Sequence, residues 1–348
     1  MTEDSFQNIK IGAVSNFSNK INSITGNNQI FILCDVNTEE CTNYLFKNIK
    51  SLANAKLISI SSGEKNKNLN AANNLWKFLS KNKARRNSVL INLGGGLITD
   101  LGGFVASTYK RGITFINIPT SLLGMVDAAI GGKNGINLDH HKNEIGIFNF
   151  PELVICDPSF LTTLPHQEFL SGFAEVLKHG LIFNKEYWQY CSKNSIKDID
   201  LFKVISTSLD IKNKIVSKDP KEKNIRKTLN FGHTIGHAIE SFMLSKNNNY
   251  LHGHAVANGM LIEATISHIL DKLSLDELNE IAAVIKNIYP KANFVEADIP
   301  KLLELMQNDK KNNSNHINFT LLDSIGEASY DNQVELSHIE KALINYLK

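Results

Sequence analysis

The chain lacks the features that mark disulfide-rich, zinc-ribbon and redox-motif proteins. Only four of its 348 residues are cysteines, and no two of them are spaced as CxxC. The four are Cys34, Cys41, Cys156 and Cys191. Isolated cysteines of this kind are typical of buried apolar residues in a reducing compartment, and we interpret them so.

Long apolar runs and an excess of one charge are also missing. No segment reaches the roughly 18 uninterrupted apolar residues that a membrane span needs, and residues 1–10 contain no basic stretch followed by an apolar one. Lysine and arginine total 37 against 35 for aspartate and glutamate, so the net charge of +2 gives no electrostatic reason to expect nucleic acid or an anionic membrane as a partner. We therefore expect a cytoplasmic protein in which any anion site is local.

The chain does contain enough apolar sequence for two domains. At about 150 residues per domain its length predicts two, and 42% hydrophobic with 21% charged residues is an ordinary globular composition. Short runs rich in Ile, Val, Leu and Phe predict buried strands at 29–35, 56–60, 88–93 and 113–118, and helical spacing between them predicts helices over 43–53, 70–79 and 97–109. This alternation predicts an α/β domain over residues 1–165, a Rossmann-like parallel sheet with a ligand crevice at the carboxyl ends of its strands.

Beyond residue 165 the pattern becomes mainly helical. Apolar spacing predicts helices over 167–181, 201–216, 228–244, 252–270, 275–288 and 339–347, and only 317–322 interrupts them with a strand-like run. Residues 166–348 are therefore predicted to form a second, mainly α-helical domain. The Asn- and Lys-rich stretches at 65–70, 247–249 and 308–315 are interpreted as solvated loops.

Three consecutive glycines follow the predicted strand that ends at Leu93. Gly94, Gly95 and Gly96 let the backbone approach a bound group closely and turn the N–H groups of the next helix toward a phosphate. The spacing is not the GxGxxG of the standard dinucleotide fingerprint, and a tight turn between strand and helix would use the same residues. Asp35, at the end of an earlier strand, modestly favours the dinucleotide interpretation, because an acidic residue there can accept a hydrogen bond from a ribose hydroxyl.

Histidines form a second candidate site. His233 and His237 are four residues apart, so on a helix their rings share one face. His252 and His254 begin another helical pattern, and Glu175 lies within the first predicted helix of the second half. Imidazole and carboxylate groups on separate helices suit Zn²⁺ with open positions, although a single such histidine is more often a core or capping residue. The residue pattern leaves both interpretations open.

A third group of residues is basic and polar. It consists of Lys110, Arg111, Lys133, Lys142, Asn143, Lys178, Lys212, Arg226 and the pair Lys310 and Lys311. Most surface lysines are only solvated, but Lys133 lies among glycines, and Lys178 follows Glu175 by one helical turn. An anionic substrate that carries a phosphate and a carboxylate would suit this group.

Six motifs, in order along nearly the whole chain, resemble those of the 3-dehydroquinate synthase family. They are GGGLITDLGGFVASTYKRG, NIPTSLLGMVDAAIGGKNGIN, HHKNEIGIF, LPHQEFLSGFAEVLKHG, RKTLNFGHTIGHAIE and LHGHAV. The resemblance implies a lyase of the shikimate pathway that converts 3-deoxy-D-arabino-heptulosonate 7-phosphate (DAHP) to 3-dehydroquinate and phosphate. The steps would be transient NAD-dependent oxidation, phosphate elimination, re-reduction, ring opening and aldol closure. The resemblance also implies bound NAD, a divalent metal, usually zinc or cobalt, a homodimer, and an active site in the cleft between the two domains.

The same resemblance implies roles for individual residues. The metal ligands would be Glu175, His233 and His252. NAD would be bound by Asp35, Asn37, Glu64, Lys67, Gly95, Gly96, Leu97, Asp100, Thr120, Ser121, Lys133, Lys142, Phe160, Thr163 and Leu164. Catalytic and substrate contacts would come from Asp127, Lys133, Lys142, Asn143, Lys178, Lys212, Arg226, Asn230, His237, one of Lys310 or Lys311, and Arg111, the last of which would reach the phosphate in the neighbouring subunit.

Three positions depart from the family pattern. Asn134 stands where the family has Thr, Pro220 where it has Glu, and His254 where it has Glu two residues after the expected ligand His252. Residues two apart on a helix point about 200° away from each other. We therefore expect His254 to lie beside the metal site or on the outer face of its helix, and not to bind the metal.

Other functions share part of this pattern. Another sugar-phosphate cyclase, or a metal-dependent polyol dehydrogenase of the glycerol dehydrogenase kind, would use the same architecture. A dehydrogenase, however, has no need of a phosphate-and-carboxylate cage, which here would be formed by Lys133, Lys142, Arg226 and Asn230. A non-catalytic NAD-binding homologue is a further alternative, and the presence of Lys178 and His237 beside every expected ligand argues against it.

Overall fold

The fold is that of a computed structural model, which describes residues 8–138, 141–246, 250–308 and 315–348. The chain divides into two compact units. The first comprises residues 1–165 with 201–209, and the second comprises residues 166–200 with 210–348. The first unit contains a parallel sheet, and the second contains an antiparallel hairpin.

A six-stranded parallel sheet forms the centre of the first unit. Its strands are β1 (Ile9–Ile11), β2 (Ile30–Asp35), β3 (Lys56–Ile60), β4 (Val89–Gly94), β5 (Thr114–Pro119) and β8 (Leu153–Cys156), in the spatial order β1-β8-β5-β4-β2-β3. β2, β4 and β8 are buried along their whole length, as is typical of strands covered on both faces. From β2 the chain passes to β3 and then returns to the other side of β2 as β4. In such sheets ligands bind where the order reverses, at the carboxyl ends of β2 and β4.

Four helices and an antiparallel ribbon accompany the sheet in the described part of residues 1–165. The helices are α1 (Ser18–Thr25), α2 (Cys41–Asn48), α3 (Leu69–Lys81) and α4 (Gly96–Thr108), and the ribbon pairs β6 (Lys133–Leu138) with β7 (His141–Phe148). The hydrophobic core includes Phe31, Leu90, Ile98 and Phe115. Burial of each such side chain stabilises the unit by about 1.5–3 kcal/mol.

Helix α4 approaches its neighbours through two glycines. A Cβ on Gly102 would lie 2.0 Å from Asn92 Oδ1, and a Cβ on Gly103 would lie 1.8 Å from Asn134 Oδ1. The side-chain amide of Asn134 donates to the backbone carbonyl of Asn149 at 2.7 Å. Asn134, which departs from the family pattern, is therefore a buried structural residue at the start of β6.

The apolar pattern of the sequence predicts much of this unit correctly. Its four strands are confirmed as β2 to β5, each within one residue of the predicted limits, and the helices at 70–79 and 97–109 are confirmed as α3 and α4. α2 ends at Asn48 and not at 53, because residues 50–52 form a separate 3-10 turn. β1 is only three residues long, and β6 mixes polar residues with glycine, so neither carries a readable strand pattern.

The second unit is mainly helical, as predicted. Its helices are α5 (His166–Phe183), α6 (Lys185–Lys193), α7 (Leu201–Lys218), α8 (His233–Ser245), α9 (His252–Ile269), α10 (Leu275–Ile288), α11 (Ile299–Asn308) and α12 (Leu336–Leu347). Residues 201–209 of α7 belong to the first unit. β9 (His316–Ser324) and β10 (Glu327–Glu335) form the antiparallel hairpin.

Helices α8 and α9 are in direct backbone contact. A Cβ on Gly259 of α9 would lie 2.1 Å from the carbonyl oxygen of Gly232, and a Cβ on Gly236 of α8 would lie 3.0 Å from the backbone of α9. The buried carboxylate of Glu263 on α9 accepts hydrogen bonds from the N–H groups of Gly232 at 2.6 Å and Ile235 at 3.0 Å. Since a carboxylate at a helix N-terminus satisfies unpaired N–H groups, Glu263 caps α8 from the neighbouring helix.

Three expectations from the sequence are wrong. The strand predicted at 317–322 is confirmed as part of β9, but it is not the only strand of the described part of this unit, because β10 pairs with it. The mostly polar sequence of β10, EASYDNQVE, gives no strand pattern. The helix expected from residue 228 begins at His233, because residues 225–230 form a 3-10 segment and Gly232 has a φ of +80°. The stretch 65–70 is not a solvated loop throughout, since Lys67 is buried and α3 begins at Leu69. Residues 247–249 and most of 308–315 lie outside the described residues.

The cysteines are largely buried, as expected from the sequence. All four cysteines are free thiols, and only Cys41 is not fully buried. Among the described residues, no helix combines the length and the apolar character needed to cross a membrane.

Candidate active site

A carboxylate and three imidazoles meet in the second unit. Glu175 of α5 places its Oε1 atom 3.5 Å from His233 Nε2 and 3.9 Å from His252 Nε2. One ring nitrogen from each of His233, His237 and His252 lies within 4.8 Å of the other two. The rings of His233 and His237 have centroids 5.2 Å apart, so the shared helix face predicted from their spacing is confirmed.

The other ring nitrogen of each expected histidine ligand also has a partner. His233 Nδ1 lies 3.1 Å from the carbonyl oxygen of Phe231, and His252 Nδ1 lies 3.1 Å from Oε2 of Glu240. Both partners are acceptors, so they favour the tautomer with the proton on Nδ1. The Nε2 lone pairs are then available on the side of each ring that faces Glu175.

A buried ion pair lies beside the half-buried imidazoles. Glu175 and Lys178 are both buried, and the Lys178 ammonium pairs with Oε2 of Glu175. Burial, together with the positive charge of Lys178, holds the pKa of His233 well below its usual range. His233 is therefore neutral at neutral pH, which is the form that binds metals.

These donors fit a divalent metal such as Zn²⁺. Glu175 Oε1 is buried and accepts no hydrogen bond from the described residues. Ligand atoms 2.0–2.1 Å from a tetrahedral zinc are about 3.3–3.4 Å apart, close to the observed 3.5 and 3.9 Å. An unsatisfied buried carboxylate oxygen that faces two imidazole nitrogens is better explained as part of a metal site than as core packing.

His237 shares this cluster although the family resemblance gives it a catalytic role. Its ring centroid lies 5.7 Å from that of His252 and 5.2 Å from that of His233. The geometry alone therefore admits His237 either as a ligand or as a proton carrier beside the ligands.

His254 does not belong to the cluster. Its ring packs against Tyr289 and Tyr250, with centroids 5.5 and 6.1 Å away, and only 5% of its surface is exposed. The expectation that it lies apart from the ligand group agrees with this geometry, whereas a position on the outer face of α9 is wrong. Its Nε2 has no hydrogen-bond partner among the described residues, and burial lowers its pKa, so His254 is neutral.

Asp219 organises the loop that precedes α8. Its carboxylate accepts hydrogen bonds from the N–H groups of Lys223 at 3.0 Å, Asn224 at 2.6 Å and Arg226 at 3.1 Å. Burial opposes ionisation, but these three bonds hold the pKa of Asp219 below its usual value. The buried Arg226 donates from Nη1 to the carbonyl oxygen of Pro220 at 2.8 Å. The group that Pro220 contributes is a backbone carbonyl, which any residue would supply. This departure from the family pattern therefore does not affect the hydrogen bond from Arg226.

An open cavity of about 370 Å³ lies next to this loop. Asn230 and Glu222 line it, and Asn230 Nδ2 donates to Glu222 Oε1 at 2.8 Å. Lys227 and Asp331, which form an ion pair at 2.7 Å, line it as well. The cavity therefore offers both donors and acceptors to a polar ligand. A further expected substrate contact, Lys212 of α7, is buried.

Sequence reasoning missed two acidic residues of this unit. Glu222 lies four residues before Arg226, and that nearness is a weak signal. Glu240 lies seven residues after His233 and three after His237, so helical spacing places it on the same face of α8 as both histidines. That periodicity is a signal that could have identified Glu240.

In the first unit, all the residues expected to bind NAD except Lys133 and Lys142 lie at or after the carboxyl ends of the parallel strands. They are Asp35 and Asn37 after β2, Glu64 and Lys67 after β3, Gly95, Gly96, Leu97 and Asp100 after β4, Thr120 and Ser121 after β5, and Phe160, Thr163 and Leu164 after β8. This is the edge at which open α/β sheets bind their ligands. The structure therefore brings this set to one edge of the sheet.

Glycines keep the ends of β4 and β5 close together. A Cβ on Gly95 would lie 3.3 Å from Ser121 Oγ, and a Cβ on Gly96 would lie 3.2 Å from Ala128 Cβ. Larger residues would need their neighbours to shift, and they would also cover the N–H groups at the start of α4. Gly95 and Gly96 are partly exposed, and binding of a phosphate by the N–H groups there stays a prediction.

A buried lysine links three parts of this edge. The Lys67 ammonium donates to Asp100 Oδ2 and to Asn143 Oδ1. Burial raises the pKa of Asp100, and the charge of Lys67 opposes that shift. Glu64 is held from another side, because its Oε1 accepts from Asn137 Nδ2 at 2.8 Å.

The remaining expected residues differ in exposure, and one of them, Asn143, accepts the hydrogen bond from Lys67 described above. Lys133 and Arg111 are exposed, and Lys142 is partly exposed. Asp127 lies in a short π-helical segment, Gly124–Ala128. Lys310 and Lys311 lie outside the described residues.

Comparisons with known proteins bear on the whole chain. Models of the 3-dehydroquinate synthase N-terminal and C-terminal regions match residues 57–171 and 172–312. The 3-dehydroquinate synthase of Parabacteroides distasonis is 44% identical over 324 residues, which cover 91% of each chain. That of Clostridium botulinum is 39% identical over 333 residues, which cover 92% of each chain.

Solved structures extend the comparison to the fold. A 2-deoxy-scyllo-inosose synthase complexed with carbaglucose-6-phosphate, NAD⁺ and Co²⁺ matches with a TM-score of 0.84 at 22% identity, over 97% of this chain and 96% of that one. A probable glycerol dehydrogenase from Sinorhizobium meliloti matches with a TM-score of 0.61 at 12% identity, over 97% and 95%. These likenesses confirm the predicted fold class, which cyclases and polyol dehydrogenases share. The family models and the curated relatives distinguish between the two, and they show that the chain belongs to the 3-dehydroquinate synthase family.

Proposed function

We propose that this chain converts DAHP to 3-dehydroquinate and phosphate, with NAD and a divalent metal used in catalytic amounts. Membership of the family supports the reaction, since a curated relative named 3-dehydroquinate synthase covers 91% of the chain. One observation carries the metal part of the proposal. Glu175 Oε1 faces His233 Nε2 and His252 Nε2 at 3.5 and 3.9 Å, and both histidines have an acceptor at Nδ1.

When bound, NAD would accept and return one hydride, and the metal would act as a Lewis acid on substrate oxygens. Glu175, His233 and His252 would hold the metal. The residues at the carboxyl ends of the strands would hold NAD, with Gly95 and Gly96 admitting the pyrophosphate to the start of α4. The reaction needs both NAD and the metal, so both sets of residues would be required for activity.

The remaining residues would bind the substrate and move protons. His237, one helical turn from His233, would accept the proton of the substrate hydroxyl that becomes oxidised. Arg226 and Asn230 would donate hydrogen bonds to the carboxylate and phosphate groups, with Lys212, Lys133 and Lys142 as further cations. These contacts would keep the flexible ring-opened intermediate in one conformation for ring closure.

A cytoplasmic homodimer is part of the proposal. Free cysteines suit a reducing compartment. In a dimer the exposed Arg111 could donate to the phosphate bound in the partner subunit. Sedimentation velocity would test the dimer, and mixing an Arg111→Ala chain with an inactive chain of intact Arg111 would test the shared contact by recovery of activity.

The central experiment follows phosphate, 3-dehydroquinate and NADH in one assay of the purified protein with DAHP. We expect phosphate and 3-dehydroquinate in equal amounts, with NAD⁺ far below the substrate concentration and no accumulation of NADH. A chelator should stop turnover, and Zn²⁺ or Co²⁺ should restore it. Consumption of NAD⁺ mole for mole would indicate a polyol dehydrogenase instead. Phosphate release from a different sugar phosphate, and none from DAHP, would indicate another cyclase.

A further inference from the structure

Glu240 lies behind the candidate metal site and has no role in the proposed ligand or substrate sets. It is on α8, and only 4% of its surface is exposed. Its Oε2 lies 3.1 Å from Nδ1 of His252, which is the first residue of α9. Burying a carboxylate costs free energy unless a hydrogen-bond donor or a cation pairs with it. The His252 ring supplies such a donor, so the contact has a structural or a functional role.

The contact determines which nitrogen of His252 carries the proton. A carboxylate accepts hydrogen bonds, so a neutral ring beside it must donate from Nδ1. The Nε2 lone pair is then directed to the side of Glu175, whose Oε1 lies 3.9 Å from it. In the opposite tautomer, two lone pairs would face each other across 3.1 Å at Glu240, and Nε2 would carry a proton where a metal should bind.

We propose that Glu240 is a positioning residue for the metal: it holds His252 in the Nδ1–H tautomer and makes its Nε2 a stronger donor. This inference rests on the metal site of the proposed function. The two histidines differ in this respect, because His233 Nδ1 is held by the neutral carbonyl of Phe231, whereas His252 Nδ1 is held by a carboxylate. A charged acceptor polarises the ring more strongly than a neutral one, so His252 is the more basic ligand of the pair.

A purely structural role is the alternative explanation. Glu240 joins α8 to α9, so its loss could simply loosen the two helices. The two roles differ in what they affect: a structural role lowers the thermal midpoint and changes metal affinity only as far as the fold loosens. The positioning role lowers metal affinity in protein that remains folded, and it changes the electronic spectrum of the bound metal.

The experiment compares Glu240→Gln and Glu240→Ala with the unsubstituted chain, each at full length. A matched control is Glu280→Gln. Glu280 also accepts a hydrogen bond from a ring N–H through a carboxylate, from Trp188 Nε1 at 2.6 Å, in the same unit and outside the metal cluster. The measurements are the Zn²⁺ dissociation constant by competition with a chromophoric chelator, the visible absorption spectrum of the Co²⁺-loaded protein, and the thermal midpoint without metal.

We expect Glu240→Ala to weaken Zn²⁺ binding by about 10- to 100-fold, the range usual for residues that support a metal ligand. Glu240→Gln should weaken it less, because its amide oxygen can still accept from Nδ1 but carries no charge. Both variants should shift the Co²⁺ spectrum. Glu280→Gln should change neither the Zn²⁺ dissociation constant nor the Co²⁺ spectrum. Affinities within twofold of the unsubstituted chain for both Glu240 variants would overturn the proposal, as would an equal loss in Glu280→Gln or a chain that binds no Zn²⁺.

The outcome is separable from that of the proposed function, because metal binding is measured without substrate. A chain that turns over DAHP while its Glu240 variants bind Zn²⁺ normally would disprove the positioning role alone. A chain that shows the Glu240 effect but releases no phosphate from DAHP would disprove the proposed function alone.

Discussion

The two units assemble their candidate sites from different parts of the chain. In the first unit the expected NAD-binding residues lie in loops after strands, and Gly95 and Gly96 matter because they have no side chain. In the second unit the donors are side chains on helices, and each is held by a buried partner, as Glu175 is by Lys178. A site built from backbone groups depends on the path of the chain, whereas one built from buried charges depends on each partner being present.

The largest effect is expected when a metal ligand is removed from the second unit. His233→Ala should abolish phosphate release from DAHP. The two remaining protein ligands would bind the metal too weakly for the site to be occupied at ordinary metal concentrations. NAD binding should survive, since its expected residues are in the first unit. Elemental analysis, calorimetry with NAD⁺ and the phosphate assay measure the three effects.

His237→Ala is the matched variant on the same helix face. We expect it to keep its metal and lose turnover, because we assign His237 to proton transfer. Loss of metal from His237→Ala with retention in His233→Ala would exchange the two roles. Full metal content and normal turnover in His233→Ala would place the site elsewhere.

The reverse experiment changes the first unit. Asp100→Asn removes the charged partner of Lys67, and we expect the dissociation constant of NAD⁺ to rise on the order of tenfold, as for the loss of a hydrogen bond to a charged group. The metal content should not change. Equal losses of NAD⁺ and metal would show that the two sites are not independent in the way that this comparison assumes.

A smaller effect, on stability, is expected at Asp219. Asp219→Asn replaces a carboxylate that accepts three backbone hydrogen bonds, and we expect it to lower the free energy of unfolding by about 1–3 kcal/mol at pH 7. The folded pKa of Asp219 is depressed, so its contribution is complete above the unfolded value of 3.8 and is lost as the pH falls through the lower, folded value. Urea unfolding at pH 7 and at strongly acid pH gives the free energy of unfolding of the unsubstituted chain and of Asp219→Asn. The difference between these two free energies should be smaller at acid pH. A gap that is constant with pH would argue against this role of the charge.

The smallest effect is expected at His254. His254→Glu restores the residue that the family usually has. It should keep metal content and activity within about tenfold, because His254 packs against Tyr289 and Tyr250 and not against the metal ligands. His252→Ala should empty the site. Metal analysis beside phosphate release for both variants tests this, and loss of metal in the first with retention in the second would contradict it.

Sequence periodicity predicts the fold well where an element buries a regular apolar pattern. The strands β2 to β5 and the shared face of His233 and His237 are examples. Elements with exposed, polar or very short sequences, such as β10 and β1, depend on pairing with distant residues and leave no local signal. The family motifs supply the expected ligands and include Glu240 as the last residue of RKTLNFGHTIGHAIE. They do not reveal the roles of Glu240 and Glu263, which depend on how α8 lies against α9.

The backbone contact between α8 and α9 restricts how the ligand spacing can vary. Gly259 and Gly232 already touch without side chains, so the two helices cannot come closer together. A side chain at Gly236 or Gly259 would require α8 and α9 to separate, and we expect this to increase the distance between His233 and His252. The site therefore has a lower limit on its size but no equally firm upper one. Variation at these glycines would shift the preference of the site in one direction, toward larger ions and longer bonds.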